Sequence, residues 1–154
     1  MPPEVILVRL RKESLRKCSL APLMQAERPG WTWHHVDLGD PVAAGEATLL
    51  HPEGEPLSPA DAVRPLLLVD SSWRDLPRVL RGVEGTLHRR ALPPGLVTAY
   101  PRKSNWFPDP DAGLASVEAL HAALALLGAR DDSLLDGYHF AERWLSANAD
   151  LLPG

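Results

Sequence analysis

Leu66-Leu-Leu-Val-Asp-Ser-Ser-Trp73 is a short apolar run that ends in an acid, two small hydroxyls and a tryptophan. Pro65 bounds it in front and a polar cluster behind, so it reads as a strand buried on both faces. Buried strands of open α/β sheets deliver their carboxyl ends to ligand crevices. Asp70 then stands at such an edge as a hydrogen-bond acceptor, and Trp73 as a cover for an apolar or aromatic ligand.

Working outward, Val5–Leu10 reads as a first strand, Trp31–Leu38 as a second and Ala47–His51 as a short third, with Pro52–Pro56 a loop. Ser58-Pro-Ala-Asp61 carries helix-start chemistry: a capping hydroxyl, a proline at the first helical position and an acid near the positive end. Pro65 keeps that helix short. The segment 73–81 predicts a helix with Leu76, Val79 and Leu80 inward and Arg74, Arg78 and Arg81 outward, starting late because of Pro77. Thr86–Ala91 and Leu96–Ala99 are candidate strands around the forced turn Pro93-Pro94-Gly95. Val117–Leu127 predicts a helix stopped by Gly128. Ser133–Leu152 predicts a second, with Leu134, Leu135, Tyr138, Trp144 and Leu145 on one face and Gly137 weakening its start. Strands alternating with helices indicate an α/β fold in a single domain spanning 1–154.

The chain of 154 residues is long enough to bury a core without metals or disulfides. Its single cysteine, Cys18, cannot form an internal disulfide, no Cys/His cluster has zinc spacing, and no apolar run reaches membrane-helix length. A cytoplasmic, metal-free protein with no membrane partner is expected. The net charge of -4 argues against a nucleic-acid partner until its distribution is considered. Arg9, Arg11, Lys12, Arg16 and Lys17 form one basic block, and residues 64–103 hold eight further Lys or Arg. By contrast, 29–63 has none, and 104 onward has only Arg130 and Arg143. Two basic blocks converging on one face could bind a polyanion despite the net charge; solvated surface arginine is the plain alternative.

Candidate residues each have two readings. Asp70 is a base or ligand acceptor, or a cap for the following helix. Trp73 stacks on a base or adenine, or belongs to the core. Ser116 opens a helix whose free N–H groups suit a carboxylate or phosphate, or simply caps it. His34 and His35 alternate faces and make a poor metal pair, and no phosphate loop, dinucleotide fingerprint or nucleophile elbow is present. His88-Arg89-Arg90 suits phosphate contact better than acid–base work.

In order along the chain, Lys17-Cys-Ser19, Leu49-Leu-His-Pro52, Leu57-Ser-Pro-Ala-Asp61, Val69-Asp-Ser-Ser-Trp73, His88-Arg-Arg-Ala-Leu-Pro93, Leu96-Val-Thr-Ala-Tyr-Pro101, Leu114-Ala-Ser-Val-Glu-Ala119 and the tail from Leu134 to Leu152 resemble the small-subunit rRNA aminocarboxypropyltransferase family, a relative of the DTW-domain tRNA enzymes. The resemblance implies a SPOUT-like α/β fold with a mostly parallel sheet and a C-terminal trefoil knot, an exception to the usual absence of knots. It divides the chain into a strand-rich part, about 1–65, and a cofactor-binding knotted part, about 66–154. It implies a donor, S-adenosylmethionine, whose 3-amino-3-carboxypropyl group goes to N3 of a uridine or modified uridine in RNA.

By the same resemblance Ser19, Val69, Trp73, Leu92, Leu96, Ala112 and Ser116 line the cofactor site, with Asp70 beside donor and acceptor as the candidate base. Arg9, Arg11, Lys12, Arg16, Lys17, Arg78, Arg81, His88, Arg89, Arg90, Arg102 and Lys103 are the candidate RNA contacts. The sequence departs from the family at Ser71, which stands for a cysteine, and in the loop Tyr100–Gly113. Ser72, where the tRNA branch has threonine, favours rRNA over tRNA. A monomer acting in ribosome biogenesis is the expectation. The competing readings are a tRNA uridine aminocarboxypropyltransferase, a SPOUT RNA methyltransferase, and a non-catalytic ribosome-assembly factor.

Overall fold

In the computed structural model, residues 2–13, 18–100 and 113–154 are described. Five strands form one sheet: β1 (Val5–Leu10), β2 (Trp31–Val36), β3 (Val42–Pro56), β4 (Leu66–Asp70) and β5 (Val83–Ala91), in the order β2-β1-β4-β3-β5. Every pairing is parallel. The sheet joins strands on both sides of residue 65.

Parallel sheets need cover on both faces, and the strands alternate accordingly. Val5, Leu7, Leu66 and Leu68 face one core, closed by helices α2 (Ser116–Leu126) and α3 (Ala141–Ala147). Val8, Leu10, Leu49 and Leu67 face the other, closed by Val79 of α1 (Leu76–Arg81). Leu66 and Leu67 are both fully buried, as a two-faced strand requires. Pro77 falls in the first turn of α1, where its missing N–H costs nothing. Ser58–Asp61 builds only a 3-10 turn, Pro59–Val63, held by Asp61 accepting from the Ser58 backbone N–H.

Three expectations are corrected. The third strand is longer than Ala47–His51, because residues between 42 and 46 also pair with β5 around a bulge at Ala44; 51–54 then loop out before Glu55 and Pro56 rejoin. Leu96–Ala99 is extended but pairs with no strand among the described residues. Its polar backbone is satisfied by side chains instead: Asn148 accepts from the Val97 N–H and donates to its carbonyl, and Glu118 accepts from the Ala99 N–H. Ser133–Leu152 is not one helix. It breaks into a 3-10 turn at Asp132–Leu135 and the separate α3. At the break Gly137 packs so closely on Pro22 that a Cβ would clash with the ring.

Gly128 behaves as its position suggests. At φ +82° it ends α2, while Ala129 and Gly128 donate to the Leu124 and Ala125 carbonyls in a Schellman turn.

A buried polar chain fixes α2 to α3. The Trp144 indole donates to Nδ1 of fully buried His121, so the imidazole proton lies on Nε2, which donates to Asp132. Hydrogen bonds from Arg130 and then His121 hold the Asp132 carboxyl down at about 2. A depressed carboxylate contributes stability above its unfolded value of about 4 and loses it as pH falls toward about 2. Asp132→Asn should therefore lower the melting temperature at pH 7, and that gap from wild type should close by about pH 2. Because Asp132 is half exposed, the gap should be modest. Thermal melts across the acid limb check this.

Candidate active site at the carboxyl edge of the sheet

The carboxyl ends of β3, β4 and β5 open into a cleft of about 390 Å³, within the size range of small-molecule sites. Five expected cofactor residues line it: Val69, Trp73, Leu92, Leu96 and Ser116. Val69 comes from the end of β4, Leu92 and Leu96 from the segment after β5, and Ser116 from the start of α2. Trp73 is 54% exposed, so its indole is a rim surface and not core filling. Ala112 lies outside the described residues.

Asp70 ends β4 and is drawn toward α2. Its Oδ1 accepts from the Ser116 hydroxyl at 2.7 Å and its Oδ2 from the Cys18 thiol at 3.2 Å. Arg9 lies directly across the β1–β4 register from it, with Nε 3.8 Å from Oδ2. Asp70 thus caps neither helix; Ser72 and Asp75 organise the start of α1 through their own hydrogen bonds. Burial, and then the neighbouring Asp70 carboxylate, push the Cys18 thiol up from its ordinary value.

Ser116 is not the cap of α2 either, since its hydroxyl is turned to Asp70. Two other side chains do that work. Ser19 accepts from the Val117 N–H at 3.0 Å, and Glu118 reaches back to the Ala115 N–H at 2.8 Å. Ser19 therefore stands at the end of α2, behind the serine that lines the cleft.

The basic blocks separate into free and committed side chains. Arg9 is 3% exposed and spends a guanidinium nitrogen on the Glu13 carbonyl, so this expected RNA contact is an interior residue. Arg11 pairs with Asp37 and Lys12 with Asp75 at the surface. Arg78 and Arg81 are exposed on α1. His88 meets Glu46, and half-exposed Arg89 is 3.8 Å from Glu53. Arg90 instead supports buried Asp61 together with Arg64. Burial pushes the Asp61 carboxyl up, but the Ser58 N–H and these two guanidinium groups outweigh it and hold the group below its ordinary range. The two blocks do meet: Lys12 and Arg74 line one depression beside Trp73. Arg16, Lys17, Arg102 and Lys103 lie outside the described residues.

Glu118, at the helix start that the sequence pointed to, holds one wall of the cleft in place. One contributor was not singled out from the sequence: His51 lines the cleft from β3. A polar residue at a strand's carboxyl end, followed by proline, was the available signal for His51. Among the described residues no group of three or more His, Cys, Asp or Glu is placed to hold a metal, and no helix is long and apolar enough to cross a membrane.

No family model and no curated protein matches the chain. A solved structure does. The SAM-dependent rRNA:acp-transferase Tsr3 from Vulcanisaeta distributa superposes with a TM-score of 0.70 and 27% identity, over 97% of this chain and 80% of that one. Over nearly its whole length the chain is therefore similar to an rRNA aminocarboxypropyltransferase. The similarity agrees with the parallel α/β sheet, and five of the segments that resemble the family contribute residues to this cleft.

Proposed function

We propose that the chain transfers the 3-amino-3-carboxypropyl group of S-adenosylmethionine to N3 of a uridine or modified uridine in RNA, with rRNA the substrate. The observation carrying this reading is the cleft: it is lined mainly by apolar groups and backbone, carries an exposed indole at its rim, and has Asp70 fixed beside it. Those features fit an adenosyl group with a charged arm. Val69, Leu92 and Leu96 would enclose the nucleoside, Trp73 would cover it, and Ser116, backed by Ser19, would border it.

S-adenosylmethionine, when bound, supplies an electrophilic carbon on a sulfonium that leaves as a neutral thioether. The chain's task is then orientation: the aminocarboxypropyl methylene must face the acceptor and the methyl must be turned away. The N3–carbon bond forms as the carbon–sulfur bond breaks, and the N3 proton must be taken up. Asp70 is the candidate acceptor of that proton. Ser116, Cys18 and Arg9 fix the carboxylate in orientation, leaving each oxygen a further lone pair. Lys12, Arg11, Arg74, Arg78, Arg81 and Arg89 would meet RNA phosphates around Trp73.

We further read the C-terminal part as a SPOUT-type knot. In support, the 97–100 segment is gripped from both sides, by Glu118 of α2 and by Asn148 beyond α3. A monomer acting in the cytoplasm during ribosome biogenesis fits the same reading. Comparing rRNA and tRNA nucleosides by mass spectrometry, with and without the gene, tests it. Loss of one aminocarboxypropyl nucleoside from rRNA is expected. Loss from tRNA would reassign the substrate, loss of a methyl nucleoside the chemistry, and no loss would leave a non-catalytic binding factor.

A further inference from the structure

His51 directly follows Leu50, the last paired residue in the main run of β3, lines the cleft and is 8% exposed. Its Nδ1 accepts the backbone N–H of Glu53 at 3.1 Å. A backbone N–H can only donate, so Nδ1 carries no proton and the neutral ring must carry it on Nε2. Among the described residues none accepts that Nε2–H. Burial, and then the positive charge of Arg89, hold the ring below its ordinary value and so keep it neutral.

The other polar side chains of the cleft are differently placed. The hydroxyls of Ser71, Ser72 and Ser116 are spent on the Ser72 carbonyl, Asp75 and Asp70 respectively. The indole of Trp73 is at solvent. His51 is thus a nine-tenths buried, proton-bearing donor with its tautomer fixed from behind. That Nε2–H is not among the fully enclosed polar atoms that lack a partner; solvent reaches it, and in a cleft wall such a donor can be offered to a bound ligand.

We propose that His51 contacts the bound reactants, donating its Nε2–H to an oxygen that carries or gains negative charge. Resting on the function proposed above, that oxygen has two possible owners. One is the carboxylate of the aminocarboxypropyl arm. The other is a uracil carbonyl, which gains charge as N3 loses its proton. A neutral donor fixed in advance suits either, because it stabilises the anion without first having to reorganise.

The test pairs His51→Leu, which removes the donor at similar volume, with His51→Gln, which returns an N–H near the Nε2 position. S-adenosylmethionine affinity is measured by calorimetry, and the single-turnover rate on RNA at saturating donor. His51→Leu should weaken one of the two at least about tenfold, as expected for a hydrogen bond to a charged acceptor, and His51→Gln should recover much of it. A loss confined to affinity assigns the carboxylate; a loss confined to rate assigns the uracil carbonyl. Both quantities within twofold of wild type would overturn the proposal. Should His51→Leu not fold, ¹⁵N–¹H spectra of the wild-type imidazole decide. An Nε2–H tautomer whose resonance moves on adding donor or RNA is expected, and a resonance unmoved by both would overturn it. Wild type that binds no S-adenosylmethionine would instead count against the function itself.

Discussion

Glu118→Ala should destabilise the protein by about 3–5 kcal/mol, a large share of the stability of a domain this size. Glu118 is fully buried, and its carboxylate accepts four hydrogen bonds: from the Thr98 hydroxyl, the Ala115 N–H, the Ala99 N–H and the Tyr138 phenol. One side chain therefore caps the start of α2, holds the extended segment after Leu96 and anchors the turn leading to α3. Truncation would strand the Ala99 N–H and the Tyr138 phenol away from water and unpair the part-buried Thr98 and Ala115 donors, and a small cavity would add to the cost. Burial, and then the Glu118 charge, push the Tyr138 phenol up, so it stays a donor at all ordinary pH. Glu118→Gln keeps the volume and one acceptor oxygen, but its amide turns a donor toward two of the four donors. It should lose less than alanine and more than a surface change. Urea unfolding reads both. A loss below about 1 kcal/mol for Glu118→Ala would mean the segment is held by other contacts.

Asp70→Asn should abolish transfer, lowering the single-turnover rate by about 10²–10⁴-fold, the usual range for loss of a positioned general base. The replacement is isosteric, and its oxygen can still accept from Ser116. It removes the negative charge that faces Arg9 and the proton acceptor proposed for N3. Affinity for S-adenosylmethionine should stay within a few-fold, because the residues lining the cleft are untouched. Transfer at the wild-type rate would exclude Asp70 as the base. A collapse of donor affinity with the rate retained would make it a cofactor-positioning group.

The parallel core was legible because burial and alternation act locally. Leu66–Val69 could only be a two-faced strand, and Pro77 and Gly128 marked helix ends by their own backbone limits. The cleft lining came through resemblance, since Val69, Leu92, Leu96 and Ser116 are distant in sequence and nothing local draws them together. The misreadings are non-local too. Leu96–Ala99 has strand composition, yet its hydrogen-bond partners are the side chains of Glu118 and Asn148. The 133–152 stretch has helical periodicity, but close packing of Gly137 on Pro22 breaks it. Arg9 counted as a surface charge along the chain, whereas the register of β1 with β4 sets it inside, opposite Asp70.

The most direct measurement uses two preparations of S-adenosylmethionine, one labelled in the carboxyl carbon and one in the methyl group. Each is incubated with the purified protein and with unmodified small-subunit rRNA. The account predicts that carboxyl label enters the RNA stoichiometrically and methyl label does not, with incorporation of the carboxyl label lost in Asp70→Asn. Methyl label in the RNA, or neither label, would contradict it.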